Sequence, residues 1–271
     1  MSTFEELVFL TLKQFLHDIS SPAQVEEVWS QLKKHRFYQQ CASKWPSLSS
    51  SKRRNAWEKL ARLIEKIGYA TRPYCLRCGT CCRKGSPALY LEDAFLVNSG
   101  RLPKEAVFTL RSGEQAYSNQ EEKIVTLKNE IVKIKEHKGR QCIFFQTKDN
   151  TCSIYEFRPL QCRVMKCWQP EDFAILKRKR LLQRKDIIGT NNSLWAIVSL
   201  HEKRCGVAEM RYLLKHRDKD KKAQQKLKEM IDYDIQIRRF LEETFGIPPN
   251  EHDFYLGRPL SLLVNLYQSE E

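Results

Sequence analysis

No apolar run of about 18 residues occurs anywhere in the 271-residue chain, which excludes a transmembrane helix as the sequence is read. Glycine is sparse at ten residues, and no two are spaced G-x-G, so neither a dinucleotide-binding fingerprint nor a glycine-rich S-adenosylmethionine loop of that kind is present. A P-loop, an H-E-x-x-H pair and the C-x3-C-x2-C spacing of radical S-adenosylmethionine chemistry are also missing, as are internal repeats and low-complexity tracts. The first residues, MSTFEELVFLTLKQFLHD, lack a basic n-region and a small-residue cleavage site, so no secretory signal is expected. A cytoplasmic location follows as an expectation, and there thiols are kept reduced.

Against these absences stand ten cysteines. Eight fall between residues 75 and 167, at Cys75, Cys78, Cys81, Cys82, Cys142, Cys152, Cys162 and Cys167, with Cys41 and Cys205 outside. The stretch YCLRCGTCC places four of them within eight residues. The chain does not need them as staples, because 271 residues with 41% hydrophobic content can bury a sizeable core.

The pattern around the thiols is mainly α with a small β-hairpin, a cysteine-rich core flanked by N- and C-terminal helices. Thr3 to Glu6 reads as a capping box before a stripe of Phe4, Leu7, Val8, Phe15, Leu16 and Ile19. Ser21, Pro22 and Gln24 repeat the start signal for a helix carrying Val25, Val28, Leu32 and Phe37, and a third runs from about Asn55 to a stop at Gly68. A short helix is expected from Glu92 to Gly100, and 123–135 reads as strand on its β-branched residues. CIFFQTKDNTCSIY reads as a hairpin turning at 147–150, with Cys142 and Cys152 on opposite arms. A long helix from about Lys219, with Leu227, Met230, Tyr233, Ile237, Phe240 and Leu241 inward, stops at Gly246. The expected organisation is a helical unit over 1–70, a cysteine-cluster domain over 71–170 and a basic helical region over 171–271 packed on it.

Cys75, Cys78 and Cys81 form C-x2-C-x2-C, a spacing by which one loop wraps three thiolates around a single centre, as in ferredoxin-type [4Fe–4S] sites. Adjacent side chains diverge, so Cys82 faces a second centre or none, and eight thiols divide into two sites of four. Zinc is the alternative, since C-x-x-C-G is a familiar knuckle and four thiolates close a tetrahedral site. The second C-x-x-C of a zinc ribbon is missing, which favours iron and sulfur slightly. Disulfides would need an oxidising compartment, and a Cys81 to Cys82 bridge would strain the backbone. Cys41, on an apolar stripe, reads as a packed thiol. His201 and Cys205 share a helix face and are extra candidate ligands, although a packed thiol and a solvated imidazole are the simpler reading.

Cys75-x2-Cys78-x2-Cys81-Cys82, then Cys142-I-F-F, then the run from Thr151 to Arg163 with C-x-I-Y-x-x-R-P-x-x-C-R, resemble the CxxCxxCC family, also called YkgJ-like, of zinc- or iron-chelating proteins. The resemblance covers roughly residues 74–168. It implies that the eight central cysteines are metal ligands, with an iron–sulfur cluster or zinc as cofactor. Flagellin lysine methylases carry a similar cluster, so an Fe–S-dependent methylase or oxidoreductase is one implied enzyme class; no catalytic residue is named by sequence. Arg158 and Arg163 are candidates to offset thiolate charge or donate N–H bonds to sulfur. Pro159 restricts Arg158 to extended backbone before a turn that presents Cys162, and Gly79 allows positive φ inside the loop.

The net charge is +14, and residues 173–228 hold 16 Lys and Arg against 5 Asp and Glu. Such a surface suits phosphates or an acidic redox partner, though no recognised nucleic-acid motif accompanies it and solvated helix faces are the simpler reading. Three function classes therefore stand: a metal or iron–sulfur protein with an electron-transfer or structural role, a zinc-stabilised module binding nucleic acid or protein, and a methylase-like enzyme.

Overall fold

A computed structural model describes residues 3–19, 21–71, 74–75, 77–118, 123–167 and 169–268. The chain divides into two compact units, Met1–Cys78 with Val164–Ile175, and Gly79–Arg163 with Leu176–Glu271. Among the described residues the architecture is mainly α with three two-stranded antiparallel sheets. Among the described residues no helix is long and apolar enough to cross a membrane.

The first unit is helical. Helix α1 (Phe4–Asp18) starts at the expected capping box, in which Thr3 Oγ1 accepts the Glu6 N–H at 3.2 Å and Glu6 Oε2 accepts the Thr3 N–H at 2.9 Å. The second helix of the sequence reading is two helices, α2 (Val25–Lys34) and α3 (Arg36–Lys44), because His35 is extended and its Nδ1 accepts the Phe37 N–H at 3.2 Å. Gln24, not Ser21, occupies the cap of α2. Helix α4 (Ser50–Ala70) starts earlier than expected and runs through Gly68. That glycine is an approach point instead of a stop, since a Cβ there would lie 2.6 Å from Phe15 Cε1. Val8, Leu12, Leu16, Val28, Leu32, Leu60 and Ile64 form the core, each worth about 1.5–3 kcal/mol on burial. Leu7 faces outward at 43% exposure, and Leu12 takes the inward place assigned to it.

In the second unit, α5 (Thr80–Arg83) and α6 (Ala94–Asn98) precede the strands. Strand β1 (Val107–Leu110) pairs antiparallel with β4 (Ile131–Ile134), while the hairpin of β2 (Gln115–Ser118) and β3 (Lys123–Thr126) is inserted between them. The segment 123–135 is thus strand, in two pieces with different partners. Residues 87–89 lie along the free side of β4, with Leu89 N–H donating to Val132 O at 2.8 Å and Ile134 N–H to Pro87 O at 3.1 Å. Strand β5 (Phe145–Gln146) pairs with β6 (Thr151–Cys152) around the expected turn, but Cys142 precedes the first arm and bridges to Glu136 instead. Short helices α7 (Leu160–Val164) and α8 (Arg184–Ile188) lead to α9 (Ser193–Arg204), α10 (Val207–His216), α11 (Lys221–Phe245), α12 (His252–Leu256) and α13 (Leu260–Gln268). The main core joins Leu89, Leu96, Val107, Val132, Ile134, Leu182 and Phe254. On α11, Leu241 is inward, but Phe240 is 42% exposed, which corrects its assignment to the core.

Beneath α9 and α11 lies a polar core that the sequence reading missed. His201 is fully buried, not solvated, and its Nε2 meets Asp234 Oδ1 at 2.7 Å. Asp234 also accepts the Arg238 Nε–H at 3.2 Å and the Leu260 N–H at 3.0 Å, tying α9, α11 and α13 together. Arg111, Glu202 and Cys205 share this pocket. Burial lowers the His201 pKa, and Arg111 adds to that against the pull of Asp234. For Asp234 burial acts upward, but the His201 bond and the Arg238 charge outweigh it and hold the carboxyl at about 2. Both groups therefore bind protons more readily in the unfolded chain, so stability falls as pH drops. These two groups should make the thermal midpoint decline in two windows as pH drops, first below the ordinary His value of 6.5 and then between 3.8 and about 2. His201→Gln, which keeps a donor for Asp234, should remove the first decline in melting curves recorded against pH.

Candidate metal centre

Among the described residues none of the ten cysteines is joined in a disulfide. Five of the eight central ones belong to the second unit, and each is placed by backbone bonding. Gly79 takes φ +74° and caps α5, which carries Cys81 and Cys82 with their sulfurs 3.9 Å apart. The left-handed backbone favours glycine, and a Cβ there would overlap the Phe145 ring. The Arg83 guanidinium covers the same ring at 4.7 Å and bonds Asn150 Oδ1 at 2.8 Å, which pins the hairpin turn beside α5. Cys142 N–H donates to Cys82 O at 2.9 Å, and Cys152 pairs with Phe145 across the β5–β6 ladder. Pro159 leads into α7, where Arg163 N–H closes the first turn on Pro159 O at 3.1 Å and Cys162 sits mid-helix.

These five sulfurs share one electrostatic neighbourhood. Cys162 feels Cys142, Cys81 and Cys152, and Cys82 feels Cys81, Cys162 and Cys152. A hydrogen bond from Cys82 pulls Cys81 down to about 6, and the same bond, with burial, pushes Cys82 up. Burial, with the Cys152 and Glu136 charges behind it and against a bond from the Phe144 N–H, raises Cys142 to about 11, and burial followed by Cys142, Cys81 and Cys152 pushes Cys162 up. Arg158 works the other way: its charge lowers both Cys81 and Cys162, while its guanidinium lies 3.6 Å over the Tyr155 ring and donates to Tyr155 O at 2.8 Å. Arg163 reaches Asp93 at 3.7 Å instead.

The other three, Cys75, Cys78 and Cys167, belong to the first unit. Arg77 takes φ +55° and its N–H donates to Cys75 Sγ at 3.4 Å. Cys167 and Cys78 both act on Tyr69 at the end of α4, raising its pKa together with burial, the larger cause. Lys66 on α4 holds Glu171 of the 164–175 segment at 2.8 Å, and within that segment Lys166 holds Asp172 at 2.6 Å. Cys41 is buried on α3, as expected of a packed thiol. Cys205 is fully buried, with its sulfur 3.6 Å from Met230 O.

Among the described residues, no three His, Cys, Asp or Glu side chains surround a common point as a finished site would. The donor chemistry nevertheless suits zinc or iron, since several thiols in one neighbourhood, with burial resisting their ionisation, are stabilised together when a cation binds. Sequence reasoning missed Asp93, Phe145, Asn150 and Gln161, which bond or pack the thiol-bearing segments; only the fold places them there.

Residues 74–180 match the model of the CxxCxxCC family, described as a "Putative zinc- or iron-chelating domain". No curated protein and no solved structure matches the chain.

Gly79→Ala should strain the left-handed turn and displace Phe145, costing about 2 kcal/mol. In thermal melting the midpoint should drop by about 5 °C, and bound metal measured by elemental analysis should fall with it.

Proposed function

We propose that the zinc- or iron-chelating domain of this chain takes its metal through Cys75, Cys78, Cys81, Cys82, Cys142, Cys152, Cys162 and Cys167, with an iron–sulfur cluster preferred over zinc. The observation that carries the reading is the gathering of Cys81, Cys82, Cys142, Cys152 and Cys162 into one electrostatic neighbourhood with no disulfide among them. The C-x2-C-x2-C spacing supports iron and sulfur. A bound cluster supplies one-electron redox chemistry, whereas zinc supplies a structural cross-link. The chain's own part is to hold the sulfurs, to set Arg158 where it favours their ionised form, and to release thiol protons as metal binds. Under this reading the role is electron transfer or stabilisation of the fold.

Anaerobic purification followed by iron, sulfide and zinc analysis tests it. Brown protein whose visible absorption bleaches with dithionite is the expected result, and Cys81→Ser or Cys162→Ser should lose metal while Cys41→Ser keeps it. Stoichiometric zinc with no colour would replace the cluster by a structural zinc site; protein with neither metal would end the chelation reading.

A second reading concerns the α10–α11 hairpin. Lys215, Lys219, Lys221 and Lys222 are exposed there and, among the described residues, pair with no carboxylate, and Tyr212 beside them is 62% exposed with its ring 4.3 Å from His216. Lysines with an accessible ring suit single-stranded nucleic acid. Lys221→Glu with Lys222→Glu should weaken binding of a labelled oligonucleotide about tenfold at low salt; undiminished binding, or none by the parent protein, removes this reading.

A further inference from the structure

Helix α7 is five residues long, too short to persist by its own backbone bonds, yet it carries Cys162. Its first N–H groups need partners from outside. The buried side chain of Asp93 supplies one: Oδ1 accepts the Leu160 N–H at 2.8 Å, and Oδ2 accepts the Tyr90 N–H at 3.0 Å. Arg163 Nη2 lies 3.7 Å from the same Oδ1. Gln161 Oε1 accepts the Ala88 N–H at 2.8 Å. Both chain neighbours of Cys162, and the residue that opens its helix, are thus bonded to residues 88–93. That segment is itself rigid, since Leu89 N–H donates to Val132 O on β4 and Leu89 O accepts the Leu182 N–H at 2.9 Å.

We propose that Asp93 is the positioning residue of the chelating centre: its carboxylate fixes the start and the rotation of α7, and through them the direction of the Cys162 sulfur. This rests on the reading of Cys162 as a ligand. Asp93 does not touch the metal; it removes conformational freedom from a donor that would otherwise be ordered only as metal binds. A carboxylate is required because both oxygens accept main-chain N–H groups and a guanidinium lies against one of them. Asn offers one acceptor, turns an amide toward the second N–H, and carries no charge for Arg163. Ala leaves both N–H groups without their partner.

The test compares full-length wild type, Asp93→Ala and Asp93→Asn, each checked for folding by circular dichroism, in two assays. The first titrates Zn²⁺ against a chromophoric chelator. The second follows iodoacetamide alkylation of each cysteine in the metal-free protein by mass spectrometry, with Cys142 and Cys205 as internal controls. Asp93→Ala should weaken Zn²⁺ binding about 10–100-fold and speed alkylation of Cys162 while leaving the controls at wild-type rates, with Asp93→Asn between the two. Wild-type affinity and a wild-type Cys162 rate in folded Asp93→Ala overturn the proposal. So does equal acceleration at Cys142 and Cys205, which would mean general loosening. If Asp93→Ala does not fold, Asp93→Asn carries the comparison. If wild type itself takes up no Zn²⁺, the chelation reading loses its support, and the alkylation rates still decide whether Asp93 holds Cys162.

Discussion

Sulfur atoms that lie close together cannot all ionise unless a cation joins them, and the second unit is arranged around that constraint. Burial and mutual repulsion keep Cys82, Cys142 and Cys162 protonated in the metal-free protein, while the bond from Cys82 leaves Cys81 as the readily ionised member. Nothing in sulfur–sulfur contact would hold such a group together. The holding is done by the backbone, through Cys142 N–H on Cys82 O, the β5–β6 ladder and the capped turn of α7. Under the proposed reading, metal meets a frame whose thiols are near one another but not closed on a point, so they must ionise and converge as it binds.

Most of that frame owes its rigidity to the apolar core around Leu89, Val132, Ile134 and Leu182, which sits directly under the 88–93 segment. A second source is the buried polar network of His201, Asp234, Arg238, Arg184, Glu130 and Glu202. Such networks are costly to break, because removing one partner leaves a buried charge without its counterpart. His201 and Cys205 belong to this network by position. The imidazole has Nε2 engaged by Asp234, and the sulfur points at a main-chain carbonyl.

Local signals were read well where chain-neighbour chemistry decides the outcome. The capping box at Thr3, the left-handed stop at Gly246 and the turn between Phe145 and Thr151 are all properties of a few consecutive residues. Reading failed where a partner from elsewhere overrides the local preference. Gly68 looked like a helix stop, but Phe15 packs against it and the helix continues. His201 looked solvated, but Asp234, 33 residues on, draws it inside. Asp93 carries no signal of its own in the short helix expected from Glu92, and its bond to Leu160 spans 67 residues.

From the sequence alone came the thiols, their C-x2-C-x2-C spacing, the mainly helical class and the chelating family, because ligand type and periodicity are written in residue identity and order. Tertiary structure decided which sulfurs share an electrostatic neighbourhood, and it set the break between the two units at Cys78 and Gly79, inside the cysteine run itself. It also decided which carboxylate aims Cys162. Those outcomes depend on long-range backbone bonds and on burial, and neither is encoded in the spacing of neighbours along the chain.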